Sequence, residues 1–304
     1  VLGVMSMYGL VLEGGGAKGS YQIGACKAMQ ELGITIGGVA GTSVGALNGA
    51  MIVQGDLDRA CEIWCDINPA KVLGFTDEEI SEFGKGAFHS DDLGIRLSRI
   101  KKIVIERGLD ITPLIKTISE VMDENRIRSS PMDFGIVTVD LTDRKPVEIF
   151  KEDIPKGKLV DYLIASASFP GFKLKEIDGK VFIDGGIYNA LPINLVEEKG
   201  YKDIIVVRTF GIGRKKKFDT TGLNITYISP SESLGAVLDF GNEKANKNIK
   251  MGYYDAIRVF KGLKGRKYYI KPLHDNYFIK YFTRLSDDKI KKLNELFGIG
   301  SYSG

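Results

Sequence analysis

The chain has 304 residues, 43% of them hydrophobic, enough for a sizeable core in one large domain or one domain with an extension. Its 42 Lys/Arg and 39 Asp/Glu leave a formal charge of +3, so no global field argues for a nucleic-acid partner. No apolar run approaches the roughly 18 residues that a transmembrane helix needs, and three cysteines are too few and too odd in number for a disulfide framework.

From the N-terminus, Val1 to Leu12 is apolar but lacks a basic leader and a cleavage site, so it reads as a first strand and not a secretory signal. After Tyr8-Gly9-Leu10-Val11-Leu12 comes a glycine-rich turn, then a helix from Ser20 to Leu32. Ser20 suits its N-cap and Gly33 its C-terminal cap. Ile36 to Ala40 is a second buried strand, and Ala46 to Val53 a helix of small residues ended near Gly55. Strand, helix and strand in that order mark a parallel sheet in an α/β fold.

From Asp56 to Asn125 the pattern is helical and charge-rich. Asp92 to Glu106 carries an apolar face, and Thr112-Pro113 starts another helix, with threonine as N-cap and proline at its first position. Two readings stay open: a helical insertion that walls a site, or ordinary helices covering the sheet. Cys61 and Cys65 lie one helical turn apart, while His89 and His274 stand alone. No metal set forms, and Cys26, Cys61 and Cys65 read as core or half-buried thiols of a reduced, cytoplasmic protein.

Phe134 to Leu141 and Pro146 to Phe150 predict a hairpin with its turn at Thr142 to Lys145. A helix follows from about Leu159 to Ser168, then a strand Val181 to Asp184 stopped by two glycines. Ile204 to Val207 and Thr226 to Ile228 are further strands, Ser233 to Lys261 is helical, and Ser286 caps a terminal helix. Arg214-Lys215-Lys216-Lys217 is the one basic cluster, either a solvated loop or a contact with an anionic surface. The late aromatics Tyr253, Tyr254, Tyr268, Tyr269, Tyr277, Phe278, Tyr281 and Phe282 are expected in core packing in preference to an interfacial face.

Three glycine-centred stretches carry chemistry. Gly41-Thr42-Ser43-Val44-Gly45, between a strand and a helix, has the form of a nucleophile elbow, with Ser43 projecting from the sheet edge. In a chain with 37 glycines a bare match is weak, and a plain strand-to-helix turn explains it as well. Gly14-Gly15-Gly16-Ala17-Lys18-Gly19 satisfies G-x-G-x-x-G. The second strand, however, ends in Ala40-Gly41-Thr42-Ser43 without the acid a dinucleotide ribose requires. A Walker loop fails too, because Gly19 is followed by Ser20-Tyr21. No cofactor is therefore expected. Bare glycine amides beside a helix start remain suited to an anion, such as the oxyanion of acyl transfer. The third stretch, Asp184-Gly185-Gly186, ends another strand. Neither histidine neighbours a strand end, so a Ser-Asp pair is the economical alternative to a triad; a turn-capping aspartate is the plainer reading of Asp184 alone.

Together these stretches resemble patatin-like phospholipases in order and approximate spacing. Ala165-Ser166-Ala167-Ser168-Phe169-Pro170 resembles that family's stretch before the aspartate strand. The likeness covers about Tyr8 to Asn194 and extends more weakly to the C-terminus. It implies a three-layer α/β/α fold with a mainly parallel sheet and a helical insertion at about 56–125. The core would span 8–199, with 200–304 completing the same domain. It further implies hydrolysis of lipid acyl esters without a metal. Ser43 would be the nucleophile, Asp184 the base, and Gly14, Gly15 and Gly16 the oxyanion loop. Lys18, Gly19, Gly41, Gly45, Gly185 and Gly186 would support the motifs. Glu13 stands where many members have aspartate. The expected partner is a lipid, at a membrane surface or free; a lipid-binding or regulatory protein with little turnover is the alternative.

Overall fold

The computed structural model describes residues 7–69, 72, 111–169, 172, 174–265, 269–273 and 275–297. The expected helix at Asp92 to Glu106, both histidines, and Tyr268 lie outside them. Short runs of branched and small apolar residues become the central strands: β1 (Tyr8–Leu12), β2 (Ile36–Thr42), β3 (Asp133–Asp140), β7 (Asp203–Val207) and β8 (Asn224–Ile228). They lie parallel in the order β3-β2-β1-β7-β8. Near-continuous burial along β1, β2, β3 and β7 is what a sheet covered on both faces demands. β4 (Lys145–Phe150), β5 (Lys175–Ile177) and β6 (Lys180–Asp184) add an antiparallel end, β4 making the expected hairpin with β3.

The helices are α1 (Ser20–Glu31), α2 (Val44–Gln54), α3 (Leu57–Cys65), α4 (Thr112–Val121), α5 (Glu124–Ser129), α6 (Leu159–Ser166), α7 (Ile193–Glu198) and α8 (Asn242–Phe260). On one sheet face Leu195 and Val196 of α7 pack with Val11, Ala40, Val137 and Val206. On the other, Gly49 of α2 lies against Phe134 and Val39. The result is a mixed, mainly parallel sheet between helical layers.

The decisive feature is the far edge of β3. β4 covers one edge from Gly135 to Asp140. On the opposite edge β2 pairs as far as Thr42 with Val137, and β6, running the other way, takes over with Asp184 against Thr138. A strand has only two hydrogen-bonding edges, so β2 and β6 meet tip to tip along one line.

Some local expectations shift. α1 begins at Ser20 itself, after a 3₁₀ turn at Gly16–Gly19 that leaves Gly19 as its cap. α4 includes Thr112, with Ile111 at the cap position. The helix expected from Ser233 starts only at Asn242. Gly235 is left-handed at φ 90°, and the Val237 carbonyl accepts from the Ala17 amide at 2.8 Å instead of a helical partner. β7, β8 and all but the last residue of α8 lie in one compact unit that extends to Val259, and Phe260–Gly304 forms a second. That second unit carries α9 (Asp275–Phe282) and α10 (Asp287–Phe297). The expectation of core packing for the aromatics is corrected here: Tyr254 on α8 is exposed, and so are Tyr277, Phe278, Tyr281 and Phe282, because α9 has no buried residue to shelter them.

α1 and α8 touch backbone to backbone. A Cβ on Gly24 would collide with the Ile249 carbonyl, and one on Gly252 with the Tyr21 carbonyl. Gly24→Ala must push the helices apart, and overpacking of this kind costs about 1–3 kcal/mol. A urea midpoint below wild type by that amount, with an unchanged m-value, is the expected result.

Candidate active site

Thr42 ends β2 and Val44 opens α2, leaving Ser43 to make the reversal alone at φ 58°, ψ −129°. A non-glycine residue in that region is strained and persists only where its surroundings over-determine it. The surroundings here are close. A side chain on Gly45 would run into the Leu12 carbonyl, so only glycine lets α2 approach β1 so nearly. The Ser43 N–H donates to Ser166 Oγ at 2.9 Å, and the Ser166 hydroxyl in turn donates to the Val137 carbonyl at 2.6 Å. Ser166, fully buried at the end of α6, thus pins the elbow to β3.

Asp184 sits at the facing tip. The residue is 4% exposed, and its carboxylate accepts from the Gly186 amide at 2.7 Å, with the Ser43 side chain near enough to favour the charged form. Burial penalises the charged form and raises its pKa to about 6; the bonds from Ser43 and Gly186 pull the other way and only partly offset it. Gly185 lies against the Val137 carbonyl, keeping the Asp184 turn on β3.

The glycine loop after β1 abuts the elbow: a Cβ on Gly14 would stand 3.5 Å from that of Ser43. Its amides are not alike. Gly14 N–H donates to the Ala190 carbonyl at 3.0 Å, unlike the amides of Gly15 and Gly16. Those two amides have no acceptor among the described residues. The loop is braced by Glu13, buried, whose Oε2 accepts from Arg208 Nε (3.0 Å), Thr209 N (2.7 Å) and Phe210 N (2.9 Å). Lys215 Nζ stands 3.4 Å from the other oxygen, an ion pair without hydrogen-bond geometry. Thr209 Oγ1 donates to the Gly14 carbonyl at 2.6 Å. Lys18 also shapes this loop: its ammonium, partly desolvated and so lowered in pKa, donates to the Phe210 carbonyl at 3.0 Å.

The segment after Asp184 ties the three stretches together. Thr42 Oγ1 donates to the Asn189 carbonyl at 2.8 Å, and the Ala190 carbonyl holds Gly14, as above. Ala190 N–H donates to Arg214, and Arg214 N–H to the Gly186 carbonyl, at 2.7 and 2.8 Å. Sequence reasoning did not single out Ser166, Asn189 or Ala190 as supports; only the family-like stretch around Ser166 pointed that way.

Ser43, Asp184 and Gly14 to Gly16 occupy the polar end of a cavity of about 610 Å³. Its walls are apolar: Trp64, Ile67, Ile118 and Val121 from the 56–125 segment, with Phe172 and Phe240 opposite. The described part of that segment therefore does wall the site. Asn48, Thr117 and Arg214 also line it, and Asn48 is satisfied by Trp64 Nε1 and the Gly19 carbonyl, each at 3.0 Å. Among the described residues no three His, Cys, Asp or Glu side chains cluster as metal ligands, and no helix is long and apolar enough to cross a membrane.

The family profile described as Patatin-like phospholipase matches residues 10–196. Neuropathy target esterase sws of Drosophila melanogaster is 27% identical over 305 residues, covering 95% of this chain and 19% of that protein. An uncharacterised NTE family protein of Mycobacterium tuberculosis is 28% identical over 185 residues, covering 60% of this chain and 44% of that one. The chain thus spans less than half the length of either relative. VipD of Legionella pneumophila shares the fold with a TM-score of 0.53 at 16% identity, over 84% of this chain and 67% of that structure. With the match running through β1, the elbow and the Asp184 turn, the chain belongs to the patatin-like phospholipase family.

Proposed function

We propose that the chain is a serine acyl hydrolase of lipid esters, acting through Ser43 and Asp184. The observation that carries this reading is a serine in a strained backbone conformation beside a buried carboxylate, next to two amides without acceptors among the described residues, in the lining of an apolar cavity. The ester carbonyl enters next to Ser43 and the acyl chain lies along the cavity. Each buried methylene contributes about 0.8 kcal/mol, so chain burial dominates affinity. Ser43 Oγ attacks the carbonyl carbon while its proton passes to the Asp184 carboxylate. The tetrahedral oxyanion is held by the Gly15 and Gly16 amides. On collapse the alcohol leaves with the proton from Asp184, giving an acyl-Ser43 ester. Water then attacks that ester, Asp184 accepts its proton, and fatty acid departs as Ser43 Oγ is reprotonated. A base with a pKa near 6 is ionised at neutral pH yet far stronger than an ordinary aspartate.

Ser43→Ala should lower kcat/KM for a short p-nitrophenyl ester by at least about 10³-fold without moving the melting temperature; wild-type turnover in that variant would refute the assignment. A fluorophosphonate should label the wild type at Ser43 and leave the variant unlabelled. An unreactive wild type would favour the alternative of a lipid-binding protein with little turnover.

The proton acceptor must be ionised, so kcat/KM should rise about tenfold per pH unit below about pH 6 and level off above it. A profile flat from pH 5 to pH 8 would exclude Asp184 as the base.

Because its folded pKa is raised, Asp184 favours the fold fully below about pH 4 and ceases to do so as pH climbs through about 6. Asp184→Asn should therefore silence hydrolysis yet stabilise the fold at pH 7.5, by up to about 3 kcal/mol, with no gain at pH 4. Urea unfolding at the two pH values measures it.

A further inference from the structure

We propose that the C-terminal unit, Phe260–Gly304, is a docking surface for a lipid bilayer rich in anionic headgroups. It does not depend on the hydrolase reading. The first observation is charge. Between Phe260 and Gly304 the sequence has ten Lys/Arg against four Asp/Glu, an excess of six in a chain whose total is only +3, so the residues before it are net acidic by three. The chain's net positive charge is thus carried by one compact unit. Lys280, Arg284, Lys289, Lys291 and Lys292 are exposed and form no ion pair with a described residue.

The second observation is the apolar surface among those charges. On α9, Tyr277 and Tyr281, like Phe278 and Phe282, are four residues apart and share a face. All four are exposed, at 58%, 58%, 43% and 50%, with Ile279 beside them at 59%. The rings meet edge to face in two pairs, Tyr277 with Phe278 and Tyr281 with Phe282, at 5.8 and 6.1 Å. Ile270 and Leu273 precede α9 and Leu296 ends α10, all more than half exposed.

A polyanion such as RNA would pair with the cations and stack on the rings, but it would leave these aliphatic side chains in water. The interfacial layer of a bilayer takes both. Apolar bodies enter the acyl boundary, tyrosine hydroxyls stay at headgroup depth, and lysines meet anionic lipid, each adding on the order of fivefold to partitioning. No helix of the described residues is long and apolar enough to span, so the fit is to lying on the surface.

The test uses the full chain with Ser43→Ala, so that vesicles stay intact, co-sedimented with phosphatidylcholine vesicles with and without phosphatidylserine. Binding should strengthen at least about tenfold with phosphatidylserine and fall at high salt. Lys289→Glu/Lys291→Glu/Lys292→Glu should weaken it by about 100-fold, and Phe278→Ser/Phe282→Ser should weaken it also. In the wild-type background neither set should change turnover of a short soluble ester. As a readout independent of those variants, Phe282→Trp should shift its emission to the blue on anionic vesicles; Trp64, the only other tryptophan, is buried. Equal binding to both vesicle types, full binding by the charge-reversed variant, or capture by single-stranded RNA in place of vesicles would overturn the proposal. Loss of ester turnover in the wild type would sink the hydrolase reading and leave the vesicle result standing.

Discussion

The site depends on one hydrogen-bonding edge of β3. Val137 receives the end of β2 and the very next residue, Thr138, receives the end of β6, so Thr42 and Asp184 are brought together by strand register before any side chain contributes. Register is an all-or-none quantity: a slip of one residue would turn every side chain of the shifted strand to the opposite face. Ser166 secures the same junction from behind, bonding to the Ser43 amide and to the Val137 carbonyl at once. Without its hydroxyl both groups would be left buried and unpaired, a cost of about 1–3 kcal/mol for each.

Two buried carboxylates are partnered differently. Glu13 is enclosed by two backbone amides, a guanidinium and an ammonium, which make it a brace between β1 and the 208–215 loop. Asp184 accepts from one amide and has no cation partner among the described residues, and burial pushes its carboxyl up to about 6. The longer side chain of Glu13, where aspartate is usual in the family it resembles, reaches the Arg208 to Phe210 backbone. It is a structural element, distinct from the Ser43 and Asp184 pair.

Much of this was legible in the residues. The strands announce themselves by local composition, and the glycine stretches by their position at strand ends, because both signals are short in range. What escaped depends on contacts far apart in the chain. That Gly14 N–H is occupied follows only from Ala190, and Ser166 matters only because α6 packs on β3 and β6, which brings its hydroxyl to the Ser43 amide. Residues 233–241 look helical in isolation, yet the Ala17 amide claims the Val237 carbonyl and Gly235 breaks the turn. The aromatics of α9 have the composition of a core, but burial is a property of what surrounds a helix and cannot be read from the helix alone.

Both Ser43 and Asp184 are moored to β3, which makes the polypeptide between them a tether rather than a ruler. Its length does not set their separation, and closing a longer loop costs only about 0.6 kcal/mol for each doubling. The stretch from α3 to α4, which supplies Trp64, Ile118 and Val121 to the cavity, is therefore free to grow, shrink or be recast while the two reacting groups keep their mutual distance. In such an arrangement the lining of the cavity can drift over evolutionary time independently of the junction that holds Ser43 and Asp184.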